Sequence, residues 1–149
     1  MEDEGLRKEL IDMMNKALRL EHAARIQYLT HAEQVDGLNS EAIIARIKEI
    51  AEDEKMHEDM FREMIGGYLG GVPTMDLDET RSASDVKEII DVNLEDEKDA
   101  LGHYKNIYKK LSDNKHEMPY IYETLEHELR HIIIDEQEHV MELKQLLGK

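Results

Sequence analysis

The feature that most constrains this sequence is a set of polar residues in the middle of otherwise apolar helical stripes. Positions taken at alternating steps of three and four residues share one face of a helix. Four long segments each give an apolar stripe at this spacing. Two stripes are interrupted by a glutamate and a histidine three residues apart, and the other two by a single glutamate. The interrupting residues are Glu21, Glu54, His57, Glu97, Glu136 and His139.

These positions face the core of a helix bundle, where an unpartnered carboxylate costs several kcal/mol or takes up a proton. Four carboxylates at one level of a bundle repel one another unless cations are present. Two divalent metal ions balance their charge, and two neutral imidazoles complete the ligand set. Single glutamates from two helices plus Glu-x-x-His from two others form the ligand set of di-iron carboxylate bundles. The stripes therefore predict two iron ions per chain, with manganese or zinc as substitutes.

A bare Glu-x-x-His motif is weak evidence, because the sequence contains a third one at Glu128 and His131. At 100° per residue, Glu128 and His131 lie roughly 80° and 140° from Glu136 around the helix. We therefore expect them at the surface or at the rim of the core. The joint placement of two motifs and two single glutamates in the middle of their stripes favours a metal site over an ion-paired core.

The two halves of the sequence repeat one arrangement. The repeated segments are Glu21-x-x-Ala24-x-x-x-Tyr28 with Glu97-x-x-Ala100-x-x-x-Tyr104, and Asp53-Glu54-x-x-His57 with Asp135-Glu136-x-x-His139. The repeat favours Glu97 over Glu95 as the ligand from the third helix, because Glu95 would place Gly102 where Tyr28 stands. Two related helix pairs would give the two metal ions similar surroundings.

Other polar residues near the stripes have more than one candidate role. Tyr28 and Tyr104 are candidates to donate electrons or to hydrogen-bond a ligand carboxylate, with simple packing as the alternative. Asp53 and Asp135 are expected to contact a histidine of the facing helix. His31 is a candidate pore residue or a structural residue at a helix end. The remaining histidines are predicted to lie on the surface: His22, His103, His116, His127 and His131.

Helical periodicity covers about residues 6–34, 40–66, 84–111 and 119–147. Ser40 is the expected N-cap of the second helix, and Pro119 fits the first turn of the fourth. Short breaks at Gly37 and Asn114 make helices one and two, and helices three and four, antiparallel neighbours. The middle break is long enough to cross a bundle of about 40 Å. We therefore predict one all-α domain over residues 1–149, a four-helix bundle with a long crossover between helices two and three.

Composition excludes several classes of function. The net charge of -16 argues against nucleic acid and anionic membranes as partners and favours cations. The absence of cysteine excludes disulfides, thiolate metal sites and thiol nucleophiles. No apolar run approaches the roughly 20 residues of a membrane span, and the acidic start is unlike a signal peptide. The expected location is the cytoplasm.

The chain resembles the ferritin-like superfamily, and within it bacterioferritin and the helical domain of rubrerythrin. The resemblance rests on Glu21 followed by Gln27-Tyr28 and His31-Ala32, on the crossover segment LGGVPT, and on the third-helix segment IIDVNLEDEKDAL. It implies that Glu54 and Glu136 bridge the irons. It also implies that Glu21 and Glu97 are terminal ligands and that His57 and His139 bind one iron each.

The sequence departs from these relatives in three places. Lys55 stands where the haem-ligating methionine of bacterioferritin follows the glutamate, and Met56 comes one place late, so haem is not expected. No Cys-x-x-Cys module is present, so a rubrerythrin-like peroxidase would need a separate electron donor. Only ten residues follow His139, which leaves no fifth helix as in 24-subunit ferritins. A homodimer or a larger homo-oligomer, such as a 12-subunit shell, is expected.

Three functions stay open at this point. The first is a ferroxidase that oxidises Fe(II) with O2 or H2O2 for iron storage or detoxification, an oxidoreductase activity. The second is a rubrerythrin-like peroxidase reduced by an external donor. The third is a helical bundle that binds metal without redox chemistry. Storage needs a closed shell and peroxidase activity needs a reductase, whereas the third function needs neither.

Overall fold

Four long helices account for most of the computed structural model, which describes residues 1–148. They are α1 Glu4–Ala32, α2 Ser40–Arg62, α3 Val86–Asp113 and α4 Tyr122–Leu146. A π-helical segment, Glu63–Tyr68, extends α2, and a 3-10 turn, Lys115–Glu117, precedes α4. The described residues contain no strand. The predicted all-α class and four-helix bundle are confirmed.

The helices form a square in which α1 lies beside α2 and α3, and α4 lies beside α3 and α2. One face of the bundle is therefore formed by α1 and α3, and the opposite face by α2 and α4. We refer to them as the α1–α3 face and the α2–α4 face. No helix within residues 1–148 combines the length and the apolar character that a membrane span requires.

Residues 69–85, the crossover, run along the whole length of α1. At the start of α1, the Arg7 guanidinium donates a hydrogen bond to the Leu69 carbonyl. At its end, His31 Nε2 donates to the Arg81 carbonyl at 2.9 Å. The crossover thus returns the chain to the end of the bundle where α2 began, so α2 and α3 run parallel, as predicted.

The apolar core is divided into two clusters with a charged layer between them. One cluster fills the end that holds the start of α1, and its fully buried members include Leu10, Phe61 and Leu129. The other fills the opposite end around Ile47 and Ile89. The interrupted stripes of the sequence correspond to this layer, because each helix contributes apolar residues on both sides of it.

At two helix starts the residues differ from the predicted assignments. Ser40 is the first residue of α2, and the N-cap is Asn39, whose φ of 66° lies in the left-handed region that asparagine tolerates. Pro119 lies in a turn before α4, because the Tyr122 amide bonds the Met118 carbonyl and closes this turn ahead of the helix. At α3 the N-cap is Asp85, whose side chain accepts from the Glu88 amide at 2.8 Å.

Candidate metal centre

The structure brings all six interrupting residues of the stripes together in the charged layer. One group of ligand atoms comes from Glu21, Glu54, His57 and Glu136, and a second from Glu54, Glu97, Glu136 and His139. Within each group the four ligand atoms lie within 4.8 Å of one another. All four helices contribute to the cluster, and every member is buried.

Two carboxylates belong to both groups. Glu54 and Glu136 are shared, whereas Glu21 and His57 occur only in the first group and Glu97 and His139 only in the second. This arrangement provides two adjacent cation positions with two carboxylates able to span them. Glu95, the rejected alternative on α3, points outward and lies 3.6 Å from Arg81 in an ion pair.

The His57 ring is oriented by carboxylates on both of its nitrogens. Nδ1 faces the cluster, 3.1 Å from Glu136 Oε1 and 3.4 Å from Glu21 Oε1. Nε2 points away from the cluster and lies 2.8 Å from Asp135 Oδ2. An Nε2–H that donates to Asp135 leaves the Nδ1 lone pair for a cation, which is how a carboxylate outside a metal site fixes its histidine ligand.

His139 repeats this arrangement in the other half of the bundle. Its Nδ1 lies 3.1 Å from Glu54 Oε1, and its Nε2 lies 2.9 Å from Asp53 Oδ2. Each aspartate thus contacts the histidine of the facing helix, as the repeat in the sequence led us to expect. The two histidines are held in matching orientations by α2 and α4.

The two tyrosines cross between α1 and α3. The Tyr28 hydroxyl on α1 donates to Glu97 Oε1 on α3, and the Tyr104 hydroxyl on α3 donates to Glu21 Oε1 on α1, each at 2.7 Å. Both hydroxyl groups are buried, and each occupies one oxygen of a glutamate that belongs to a single ligand group. The second oxygen of each glutamate is buried without a hydrogen-bond partner.

Burial and mutual repulsion shift the pKa values of the cluster carboxylates strongly. Burial raises the pKa of the Glu54 carboxyl well above its ordinary value, and the charges of Glu136 and Glu21 raise it further. Burial and the charge of Glu136 raise the pKa of Glu97 to about 8. The pKa of Glu136 is lowered despite its burial and the charge of Glu21, because the neighbouring Glu97 carboxyl and the two cluster histidines stabilise its charged form.

For the two cluster histidines, burial lowers the pKa, whereas the surrounding carboxylates raise it. Burial lowers the pKa of His57, but the charge of Glu21 and the hydrogen bond to Asp135 outweigh it and raise the pKa to about 12. Burial likewise opposes the charge of His139, yet the hydrogen bond to Asp53 and the nearby carboxylate of Glu136 raise its pKa strongly. Excess negative charge in the cluster therefore retains protons wherever no metal cation supplies positive charge.

The donor atoms fit metal ions. Five buried atoms of the cluster have no hydrogen-bond partner: Glu21 Oε2, Glu54 Oε1, Glu97 Oε2, Glu136 Oε2 and His139 Nδ1. Buried polar atoms normally have partners, so five unpartnered atoms in one place indicate a ligand that binds them together. Carboxylate oxygen and imidazole nitrogen are donors that iron, manganese and zinc accept.

One histidine prediction is wrong and another holds only in part. His22, predicted at the surface, is buried, because the crossover packs over it: Nδ1 donates to the Asp76 carbonyl at 2.6 Å and Nε2 accepts from Arg62 at 2.7 Å. His103 is half-buried and bonds the Met13 carbonyl at 2.8 Å. The exposed histidines are His116, His127 and His131.

Two buried polar networks around the centre were not predicted. Glu58, next to His57, is 2 % exposed and accepts hydrogen bonds from Arg25 and Arg62. His31 accepts from Asn93 Nδ2 at 2.9 Å while it holds the crossover. The only sequence signal for Glu58 is Arg62 four residues later on the same helix; its partner on α1 is set by tertiary packing.

A four-helix bundle with a long crossover and two carboxylate–histidine ligand groups defines the ferritin-like class of metal-binding bundles. A model of the ferritin-like domain family matches residues 11–149, and the chain belongs to this family. No curated protein sequence matches it.

Three solved structures show how close the likeness is. A ferritin-like, diiron-carboxylate protein from Bacillus anthracis is 26% identical over 99% of both chains, with a TM-score of 0.87. A bacterioferritin-related protein from Bacteroides fragilis, described as a dodecameric thioferritin, is 26% identical over 95% of this chain and 86% of its own, with a TM-score of 0.83. Rhodobacter capsulatus bacterioferritin, at 24% identity, covers 95% and 84% with a TM-score of 0.80 and shows the fold alone.

Proposed function

We propose that this chain binds two iron ions and oxidises Fe(II) with O2 or H2O2, as a ferroxidase. The observation that carries the proposal is the pair of ligand groups that share Glu54 and Glu136 and contain five unpartnered buried atoms. The similarity to the diiron-carboxylate protein of Bacillus anthracis supports iron over manganese or zinc.

The protein's own contribution is electrostatic and geometric. Bound iron supplies the electrons that reduce the oxidant. The four carboxylates form an anionic oxygen shell that favours Fe(III) over Fe(II), and the buried layer excludes bulk water. Asp53 and Asp135 hold the histidine rings so that both Nδ1 atoms face the same space. Tyr28 and Tyr104 fix the glutamates that serve a single ion.

A homo-oligomer is part of this proposal. The related protein from Bacteroides fragilis is described as dodecameric, and this chain aligns with 86% of it. A closed shell of that kind would give oxidised iron an interior in which to accumulate. Sedimentation of the iron-loaded protein distinguishes a shell with a mineral core from a small oligomer that stores none.

The test is an anaerobic titration with Fe(II), followed by admission of either O2 or H2O2 while absorbance is recorded. We expect binding to saturate near two ions per chain, because the cluster has two ligand groups, and oxidation to follow rapidly. The variant Glu54→Ala/Glu136→Ala loses both shared ligands and should lose binding and fast oxidation. Glu52→Ala/Glu138→Ala removes two exposed glutamates from the same helices and serves as the control.

The outcomes separate the three functions. Faster reaction with O2 or comparable reaction with both oxidants supports the ferroxidase, whereas a strong preference for H2O2 with return to Fe(II) by an added reductant indicates a peroxidase. Tight binding of Zn(II) with no oxidation of bound Fe(II) indicates a metal-binding bundle without redox chemistry. Wild-type behaviour of Glu54→Ala/Glu136→Ala contradicts the site itself.

A further inference from the structure

A cavity of about 160 Å³ lies between α1, α3 and the crossover and reaches the metal centre. Its buried wall includes Glu54 and Glu97, each of which has an oxygen without a partner. Its outer wall includes exposed residues, among them Glu79 of the crossover and Asp99 of α3. The cavity therefore extends from the surface to the ligand atoms, with room for several water molecules.

Four carboxylates surround the outer part of this cavity, but two of them are already neutralised. Asp78 forms ion pairs with Lys16 and Arg19 of α1. Asp96 is bound by Arg81 at 2.9 Å and by Gln27 at 2.8 Å. These contacts attach the crossover to α1 and α3. They account for the positions of Asp78 and Asp96, so no bound ligand is needed to explain these two carboxylates.

Glu79 and Asp99 have no such explanation. Within residues 1–148, neither side chain forms a hydrogen bond or an ion pair. They lie on different elements, the crossover and α3, and line the same cavity. Two unpaired carboxylates at the outer end of a passage, with unpartnered carboxylate oxygens at its inner end, form a gradient of negative charge directed into the bundle.

The α2–α4 face differs from the α1–α3 face, and three other cavities in the described part of the chain include none of the six ligands. The carboxylates next to the ligands on that face are Asp53 and Asp135, and each accepts a hydrogen bond from a cluster histidine. These hydrogen bonds hold the two histidine rings in place on that face of the centre. The cavity on the α1–α3 face, by contrast, combines ligand glutamates at its inner end with unpaired acidic groups at its outer end.

We propose that Glu79 and Asp99 form the entrance through which divalent cations reach the centre, each carboxylate attracting the hydrated ion before Glu97 and Glu54 take it. The inference rests on the proposed function, because it needs metal ions to occupy the centre. Its consequence is kinetic: loss of the entrance slows loading, while the ligand groups and the number of ions bound stay the same.

The experiment measures Co(II) loading of the full chain by stopped-flow absorbance, with Co(II) as a probe that air does not oxidise. The entrance variant is Glu79→Gln/Asp99→Asn. The control, Glu52→Gln/Glu138→Gln, removes the same charge from exposed positions on α2 and α4. We expect the entrance variant to load about three- to tenfold more slowly at low salt, and the control to load at the wild-type rate. The difference should shrink below about twofold near 0.5 M salt, because screening weakens attraction over distance.

Equilibrium titration with Co(II) separates this inference from the function on which it rests. Wild-type protein that binds no Co(II), with Glu54→Ala/Glu136→Ala indistinguishable from it, overturns the proposed function and the entrance together. Wild-type protein that binds normally, with equal loading rates in the entrance variant, overturns the entrance alone. Equal slowing in both double variants shows an effect of total charge and also overturns it. Slow loading with unchanged stoichiometry in the entrance variant alone supports it.

Discussion

At the level of single residues, two glutamates and both histidines of the centre are each hydrogen-bonded by a group on another helix. Tyr28 of α1 donates to Glu97 of α3, and Tyr104 of α3 donates to Glu21 of α1. The histidine of α2 bonds an aspartate of α4, and the histidine of α4 bonds an aspartate of α2. A ligand held by a partner on a different helix keeps its position only while the bundle is packed, so the centre and the fold depend on each other.

Asp135→Ala should weaken the binding of one of the two metal ions. The change removes the acceptor that orients His57, and loss of such a partner lowers metal affinity about 10- to 100-fold. Competition between the protein and a coloured chelator for Co(II) measures both affinities. Asp53→Ala should weaken the other ion to a similar degree. Asp59→Ala, which removes an exposed aspartate paired only with Arg62, is the control and should leave both unchanged; equal loss in this control contradicts the assigned role.

Tyr28→Phe should destabilise the metal-free protein by about 1 to 3 kcal/mol, the range for a buried polar group that loses its hydrogen-bond partner. Glu97 Oε1 would join Oε2 as an unpartnered buried atom. Urea unfolding in the presence of a chelator measures the change. Tyr120→Phe, at a position that is 92% exposed, is the matched control and should have no effect. Equal stabilities of the two variants would show that the Tyr28 hydroxyl only packs.

The residues of the centre could be predicted because a polar residue inside an apolar stripe is visible in one helix alone. Glu97 could be chosen over Glu95 because the repeat relates it to Glu21, and the structure places Glu97 in the cluster. The surface prediction for His22 was wrong because this residue lies off the apolar stripe of α1 and is buried by the crossover. Helical periodicity contains no information about a segment of irregular backbone. The ion pair of Glu58 with α1 likewise arises from packing between segments distant in sequence. The same is true of the placement of Glu79 and Asp99 along one cavity.

At the level of elements, the crossover is what makes the two halves of the bundle different. The helix pairs repeat, but within residues 1–148 only α1 has an extended segment along its whole length, held by side chains from Arg7 to His31. Its existence and its span followed from its length, because a short turn cannot join parallel helices. Its path over α1 could not be predicted, since the irregular backbone is positioned by individual hydrogen bonds such as Arg81 N to Gln27 Oε1 at 2.6 Å.

The crossover passes close to α1 at Gly71, where a Cβ atom would lie 2.8 Å from Ile11 Cδ1. In the wild-type background, Gly71→Ala should therefore destabilise the fold by about 1 kcal/mol through overpacking. In an Ile11→Ala background the space is free, and the same change should stabilise the fold by about 0.4 to 1 kcal/mol through the lower entropy of the unfolded chain. Urea unfolding of the four proteins measures the reversal in sign; equal effects in both backgrounds contradict the contact.

At the level of the whole molecule, the charged layer opposes the stability that the two apolar clusters provide. The layer holds four carboxylates, and Glu54 and Glu97 keep protons to higher pH than exposed glutamates do. His57 and His139 also keep theirs, because the surrounding negative charge raises their pKa. Metal ions displace these protons when they bind. The negative charge of the layer is therefore balanced by protons in the metal-free protein and by metal ions in the loaded protein.

The metal-free protein should lose stability as the pH rises from about 5 to about 9, and bound metal should oppose this loss. The raised pKa values mean that the folded state binds more protons than the unfolded state across this range, so the free energy of unfolding falls as the pH increases. Asp135 and Glu136, with lowered pKa values, add stability that is already complete above their unfolded pKa and does not alter the slope. Metal ions compete with those same protons, so the stability they add grows with pH. Urea unfolding near pH 6 and near pH 8.5, with chelator and with excess Mn(II), measures both slopes. Glu54→Gln/Glu97→Gln should flatten the metal-free slope, whereas metal-free stability that rises with pH would show that the layer is not held by protons.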